Sequence, residues 1–434
     1  MDKQRVLLVH PGIYTDADPR SFPPWGAISV GHVLRAAGHE VLVLDLNGQD
    51  VATALTAALE SFDPTVAGFT AKQGLGAVRF REGVDFLARV TPGLPVIAGG
   101  PLVSTFPDPE SPLWRGVRAL VLGDGEDVTA RWVGAAERPS GLVHGDEPPN
   151  LDAVGIPVWW PGLPSYVHPA ESWPGMGVPG LHVASARGCT RRCTFCYLNA
   201  HHPDARFRFI SARRLYTDLA ELSETTSATG FYFVDDCFID RSQRRAEEFC
   251  ALNTSDGSPF RYGCDVQLTD LDRHMGLLAT MHDAGFRSLY VGVETASAAT
   301  RKRLGKGSIR RSAVDVLNAA LDAGFTIRAS IGIGWPGETG ADARATLALI
   351  DAVPRLAFDA FKYYPLPGTP LGESSYWARA RTELSPQEYA ETAGNDYSEH
   401  NANFSEIADA DYEALWQEMR LREDERLAAY HASA

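Results

Sequence analysis

Short apolar runs alternate with helix-length amphipathic stretches twice over in this 434-residue chain, and that alternation restricts the fold more than any single motif. In the first series the runs are Val6–Val9, Glu40–Leu46, Thr65–Phe69, Pro95–Ala98 and Leu120–Leu122, with helical patterns over 27–38, 51–62 and 77–90. Runs this short with helices between them predict a doubly wound parallel sheet, whose ligands sit at the carboxyl ends of its strands. Those ends carry Pro11–Gly26, Thr70–Gly76, Gly99–Pro101 and Gly123–Glu126.

From Glu147 to Gly180 eight prolines interrupt the pattern, with Trp159, Trp160, Tyr166 and Trp173 among them. That composition predicts an ordered connection packed on its neighbours rather than a floppy tether. A second series follows, with strands at Leu181–Ala186, Gly230–Phe238, Arg261–Leu268, Ser288–Thr295, Thr326–Gly334 and Ala360–Pro365. Helical patterns lie between them at Arg213–Thr226, Asp240–Cys250, Leu271–Ala284, Ser312–Ala323 and Ala341–Val353. Six β/α units predict a partial (β/α)6 barrel with its chemistry at the carboxyl ends of the strands. The expected division is a Rossmann-like domain over 1–140, a Pro-rich linker over 141–180, the barrel over 181–375 and a helical C-terminal cap over 376–434.

Composition removes several classes of function. A formal charge of −15 argues against nucleic acid, which needs basic patches, and against an anionic membrane surface. No apolar run approaches the roughly 18–20 residues of a membrane span. The N-terminus reads straight into an apolar strand instead of a signal peptide, and six cysteines in a chain this long make no disulfide framework. A cytoplasmic location is expected. Only five residues are lysine: Lys3, Lys72, Lys302, Lys306 and Lys362.

Three of the cysteines fall within eight residues, Cys189-Thr-Arg-Arg-Cys193-Thr-Phe-Cys196, just past the first strand of the second series. A [4Fe–4S] cluster normally takes four thiolates, so a loop with three and no fourth nearby leaves one iron for another ligand. By residues alone the alternatives stay open: half of a zinc knuckle completed by His201 or His202, or a redox pair.

With its context, the chain resembles the radical S-adenosylmethionine (SAM) superfamily, in the subgroup with an N-terminal cobalamin (B12)-binding-type domain. The residues that carry the resemblance in the first domain are Pro23-Pro-Trp-Gly26, Ala37-Gly-His-Glu-Val41, Gly99-Gly-Pro101 and Gly123-Asp-Gly-Glu126. In the barrel they are the cysteine loop, Phe233-Val-Asp-Asp236, Gly292-Val-Glu294, Lys306-Gly307, Gly334-Trp-Pro-Gly-Glu-Thr339 and Pro367-Gly-Thr-Pro370.

The resemblance implies that Cys189, Cys193 and Cys196 hold a [4Fe–4S] cluster. SAM would bind its open iron, and one-electron reduction would release a 5′-deoxyadenosyl radical that abstracts hydrogen from a substrate. Phe195 stands where relatives place an aromatic near the adenine, and Asp235 and Asp236 where they bind the methionine ammonium. Glu294 is expected at the ribose hydroxyls, against an alternative ion pair with Arg301 or Arg303. Gly332 and Gly334 are expected to admit the adenosine closely, or else to be turn glycines. Either aspartate has the alternative of capping the next helix. Cys237, Cys250 and Cys264 read as buried thiols.

Thr70, Gly99 and Gly100 occupy the positions that would meet a cobalamin tail, but no Asp-x-His-x-x-Gly motif is present, which leaves open a scaffold with an empty cleft. The implied partners are a small-molecule substrate and a flavodoxin- or ferredoxin-type reductant. Acidic strand ends at Asp235, Asp236, Asp265 and Glu294 favour an amine-bearing substrate that is dehydrated, deoxygenated or rearranged, as in aminosugar biosynthesis. Cobalamin-dependent C-methylation is the competing reading, and a B12 or SAM sensor or a zinc protein the remote ones.

Overall fold

A computed structural model describes residues 3–12, 22–148, 150–198, 207–239, 242–366, 368–374 and 402–432. Most of the Pro11–Gly26 loop, His201, His202, and residues 376–401 of the expected cap lie outside them. The chain divides into two units. The described residues up to 148 with Pro157–Tyr166 form one, and Asn150–Ile156 with the described residues from Val167 onward form the other.

The first unit is built on six parallel strands: β1 (Arg5–His10), β2 (Glu40–Asp45), β3 (Val66–Thr70), β4 (Val96–Gly99), β5 (Ala119–Leu122) and β6 (Gly141–His144). Their order is β2-β1-β3-β4-β5-β6. Val6, Leu7, Leu8 and Val9 are all buried because helices cover both faces, which is why β1 reads as an unbroken apolar run. Under one face Phe69, Phe80 and Trp114 meet edge to face, with centroids 5.7 and 5.6 Å apart. Each such pair adds about 0.5–1.5 kcal/mol beyond the area it buries.

β6 was not expected: the sequence reading begins a linker at 141, whereas Gly141–His144 pairs with Ala119–Leu122 as an edge strand. Its burial alternates and its four residues stand between Pro139 and Gly145, so neither length nor apolarity announces it. The Pro-rich stretch is likewise ordered and shared out between the units. The Trp159 indole donates to the Ile28 carbonyl at 3.0 Å, and the Arg35 guanidinium lies 4.5 Å from its ring. Gly31 makes room, since a Cβ there would stand 2.5 Å from that ring.

The second unit has a sheet of six parallel strands, in which the last strand in the chain lies at one edge and the first at the other. They are β7 (Gly180–Val183), β10 (Gly230–Phe233), β11 (Arg261–Gln267), β12 (Phe286–Glu294), β13 (Thr326–Ile333) and β14 (Ala357–Lys362). A short antiparallel pair, β8 (Ala186–Arg187) with β9 (Arg208–Phe209), sits beside the cysteine loop. Phe233, Phe249, Tyr262 and Phe286 pack between sheet and helices, with Phe249 and Tyr262 centroids 5.0 Å apart.

The single helix expected over Leu271–Ala284 is two, Leu268–Arg273 and Leu277–Asp283, with Gly276 at the break. Helix Asp409–Ala432 covers β14 through Tyr412, Leu415, Trp416 and Met419. The Glu423 carboxylate accepts the Ala360 N–H at 2.8 Å, pairing a backbone donor that an edge strand otherwise leaves open.

Candidate active site

The cysteine loop starts where β8 ends and is held by backbone far along the chain. Thr194 donates its N–H to the Leu304 carbonyl at 3.0 Å and accepts the Leu371 N–H at 2.9 Å. Its hydroxyl donates to the Arg303 carbonyl at 2.9 Å. Gly305, at φ +68°, permits this approach: a Cβ would stand 2.7 Å from the Arg192 carbonyl oxygen.

Cys189, Cys193 and Cys196 are free thiols. The neighbouring Cys237 thiol brings Cys189 down to about 6. Burial pushes Cys193 up, and Cys196 up to about 12. Lys306 and Arg191 lie beside the loop, each paired with a buried carboxylate, Glu294 and Asp270 respectively. Three unbridged thiols among cations fit a cubane, which draws one thiolate to each of three irons.

The two aspartates after β10 part company. Asp235 is bonded within the fold: Oδ1 accepts the N–H groups of Ser185 and Ala186 at 2.5 and 2.7 Å, and Oδ2 accepts the Ser185 hydroxyl. Buried Arg245 completes that knot through the same hydroxyl at 2.6 Å. In this structure the Asp235 carboxylate pins the turn that launches the cysteine loop, at the position the sequence reading assigned to the SAM ammonium or to a helix cap. Asp236 instead lies near enough to Cys189 to feel its charge, and is raised to about 7 by burial and by that thiol.

Glu294 is also committed. Its Oε1 pairs with the Lys306 ammonium at 2.7 Å and its Oε2 accepts the Ser330 hydroxyl at 2.9 Å, so the ion-pair partner is Lys306 rather than Arg301 or Arg303. Lys306 also donates to Gln267 Oε1 at 2.6 Å. Glu294 sits at φ +62°, where β12 and β13 slip register, and Gly292 leaves the space: a Cβ there would lie 3.0 Å from the Lys306 nitrogen.

The expected adenosine glycines are filled by rings. A Cβ on Gly332 would stand 2.6 Å from Phe361, and one on Gly334, at φ +90°, 2.8 Å from the Tyr412 hydroxyl. Both glycines make room for aromatic packing on the side a Cβ would occupy. Phe195 stacks obliquely on Trp335 with centroids 5.1 Å apart, 6.0 Å from the Lys306 ammonium.

Of a polar row along the sheet, sequence reasoning named Asp265 as an acidic strand end but missed Tyr232, Arg328 and Asp359. Tyr232 donates to Asp265 at 2.9 Å, and burial raises Asp265 to about 8. Arg328 Nε donates to Asp359 at 3.0 Å, near Tyr290 and Tyr430. The available signal was period-two alternation: Asp265 and Gln267 on β11, and Arg328 and Ser330 on β13, interrupt apolar strands at every second position.

In the first unit Thr70 and Gly99 are register partners at the ends of β3 and β4. Gly100 follows at φ +104°, where a Cβ would meet the Ala71 carbonyl at 2.9 Å. The structure therefore brings these three residues together on the carboxyl edge.

Comparison with known proteins agrees with both halves. The B12 binding domain model matches residues 16–132, and the Radical SAM superfamily model matches residues 183–350. The chain is 25% identical over 375 residues to the uncharacterized methyltransferase PH0819 of Pyrococcus horikoshii, covering 81% of this chain and 78% of that protein. Its fold matches the radical SAM methyltransferase TsrM of Kitasatospora setae with a TM-score of 0.71 at 20% identity, over 95% of this chain and 89% of TsrM. The cobalamin-dependent radical enzyme OxsB matches with a TM-score of 0.65 at 15% identity, over 98% of this chain but 62% of OxsB. The chain belongs to the radical SAM superfamily, in the subgroup that carries an N-terminal B12-binding domain. A [4Fe–4S] cluster, SAM and cobalamin are the cofactors this implies. Among the described residues no helix is long and apolar enough to cross a membrane.

Proposed function

We propose that this enzyme is a cobalamin-dependent radical SAM C-methyltransferase acting on a small polar substrate. One observation carries the reading: a B12-binding unit and a radical SAM barrel share a chain that aligns over 81% of its length with a protein named as a methyltransferase. The whole-chain fold likeness to TsrM points the same way. Dehydration or rearrangement, favoured by the acidic strand ends, loses its support because Asp235 and Glu294 are consumed by structural bonds.

When bound, the cluster with SAM supplies a carbon-centred radical and cobalamin supplies the methyl group. Cys189, Cys193 and Cys196 hold the cluster. Asp236, beside Cys189, receives the SAM ammonium, and Phe195 borders the adenine. Tyr232, Asp265, Arg328 and Asp359 line the strand face that meets substrate. Thr70, Gly99 and Gly100 border the cobalamin tail.

The test is anaerobic reconstitution with a flavodoxin- or ferredoxin-type reductant, SAM labelled in its methyl group, and a panel of small polar amines and sugars. Bound iron and cobalamin, 5′-deoxyadenosine release and label in the product are expected. An unlabelled product lighter by one water overturns methyl transfer, and zinc without iron overturns the radical chemistry as well.

A further inference from the structure

Asp265, Tyr290 and Arg328 stand side by side on three neighbouring strands. The register pairs Asp265 with Tyr290 and Tyr290 with Arg328, so the three side chains leave the same face of the sheet. On β13 that face alternates with a sealed one: Ile327, Ala329 and Ile331 are fully buried, whereas Thr326, Arg328 and Ser330 keep accessible surface. The Arg328 side chain is 37% exposed although its strand lies between two others, so open space stands over the sheet at this point.

The charged members of the row are only half engaged. Asp265 Oδ1 accepts the Tyr232 hydroxyl at 2.9 Å, and among the described residues Oδ2 has no hydrogen bond. Arg328 sends both Nε and Nη2 to one oxygen, Asp359 Oδ1, the first at 3.0 Å. Arg328 Nη1 and Asp359 Oδ2 are left over among the described residues. Tyr430, in the last turn of helix Asp409–Ala432, borders the row with its hydroxyl 3.5 Å from Ser288 Oγ.

These atoms select a ligand by charge and by length. Arg328 and Asp359 cancel, so the net charge of the row is set by Asp265. A carboxylate or phosphate brought to Arg328 Nη1 would also meet Asp359 Oδ2, whereas a hydroxyl can accept from the one and donate to the other. Burial raises Asp265, and a cation set against a desolvated carboxylate offsets that cost. Asp265 and Arg328 lie two strand spacings apart, about 10 Å, which a substituted ring spans.

We infer that the barrel takes a hydroxylated amine, whose ammonium is received by Asp265 Oδ2 and whose far hydroxyl bridges Arg328 Nη1 and Asp359 Oδ2. The inference rests on the reading above of an enzyme for small polar substrates, and it names their chemical class.

The experiment is calorimetric titration of the reconstituted enzyme, with SAM, against glucosamine and against glucose, which exchange one ammonium for a hydroxyl. Wild type, Asp265→Asn, Asp265→Glu and Arg328→Gln are compared, with iron content and a melting curve of each as the check on folding. The wild type is expected to hold glucosamine about tenfold tighter than glucose, the worth of one charge-assisted contact. Asp265→Asn removes that preference by weakening glucosamine alone, Asp265→Glu keeps it, and Arg328→Gln weakens both sugars alike. A wild type indifferent to the amine, or an Asp265→Asn protein in which both sugars or neither are weakened, overturns the assignment. The methyltransferase reading fails separately. Amine preference with no methyl label in any product overturns that reading and leaves the site standing, and labelled product from a substrate without an amine does the reverse.

Discussion

Replacing Glu294 by glutamine tests the reading of the barrel interior most directly. The Glu294–Lys306 pair is almost sealed, with side-chain exposures of 7% and 3%. Glutamine keeps the shape and the acceptor for Ser330 but leaves the ammonium with only the neutral Gln267 oxygen. Removing one partner of a buried pair costs about 3–5 kcal/mol, because the other charge stays buried and uncompensated. For a unit of roughly 150–250 residues that is about 2–4 °C per kcal/mol, hence a fall of about 6–20 °C in the melting transition of the barrel. Lys306→Met alone should cost similarly. The double variant Glu294→Gln/Lys306→Met should lose far less than the sum, since neither charge is then orphaned. Differential scanning calorimetry of all four proteins in the apo form gives the coupling. Two additive singles, or a Glu294→Gln transition within about 2 °C of wild type, would refute the buried pair.

Other consequences are as specific. Asp235→Ala leaves the Ser185 and Ala186 N–H groups unsatisfied at about 1–3 kcal/mol each and loosens the turn into the cysteine loop, so iron bound after reconstitution should fall together with stability. Cys237→Ala should keep its iron and sulfide, whereas Cys189→Ala should lose the cluster; equal loss in both would make Cys237 a ligand. Asp265 has its folded pKa raised to about 8, so its contribution to stability is complete below the ordinary carboxylate range and is lost as pH rises towards 8. Asp265→Asn should therefore flatten the decline in melting temperature between pH 5 and about 8, and unchanged slopes would contradict the raised value. Gly332→Ala drives a methyl into the Phe361 and Trp335 rings at a cost of about 1–3 kcal/mol, and it should lower stability without weakening SAM binding in whatever fraction folds.

What the sequence conceals here is mostly orientation. β1 is legible because both of its faces are buried, so Val6–Val9 must all be apolar. β6 is not, because an edge strand of four residues with one open face carries too few apolar positions. Asp235 and Asp236 are adjacent and chemically identical, and only the fold shows that one is spent on Ser185 while the other lies beside Cys189. The spacing of the three cysteines marks a reactive or metal-binding loop, and it is their place after the first strand of the second series, with the motifs around them, that narrows the chemistry to a cluster. Nothing in the spacing of Glu294 and Lys306, twelve residues apart, announces their pairing, which depends on how Leu304–Lys306 returns over the strand ends. The glycines at 332 and 334 mark close approach, yet the sequence does not say what approaches.

The anchoring of Thr194 bears on how such an enzyme matures. Its partners are Arg303 and Leu304, more than a hundred residues downstream, and Leu371, later still. A chain leaving the ribosome displays all three cysteines long before the segments that shape their loop exist. The shape of the cysteine loop depends on contacts of high sequence separation, which close late and slowly. Cluster insertion is thereby deferred until the last strands are in place, and a chain truncated before Leu371 would carry every ligand for iron while lacking one of the backbone contacts that fix their geometry.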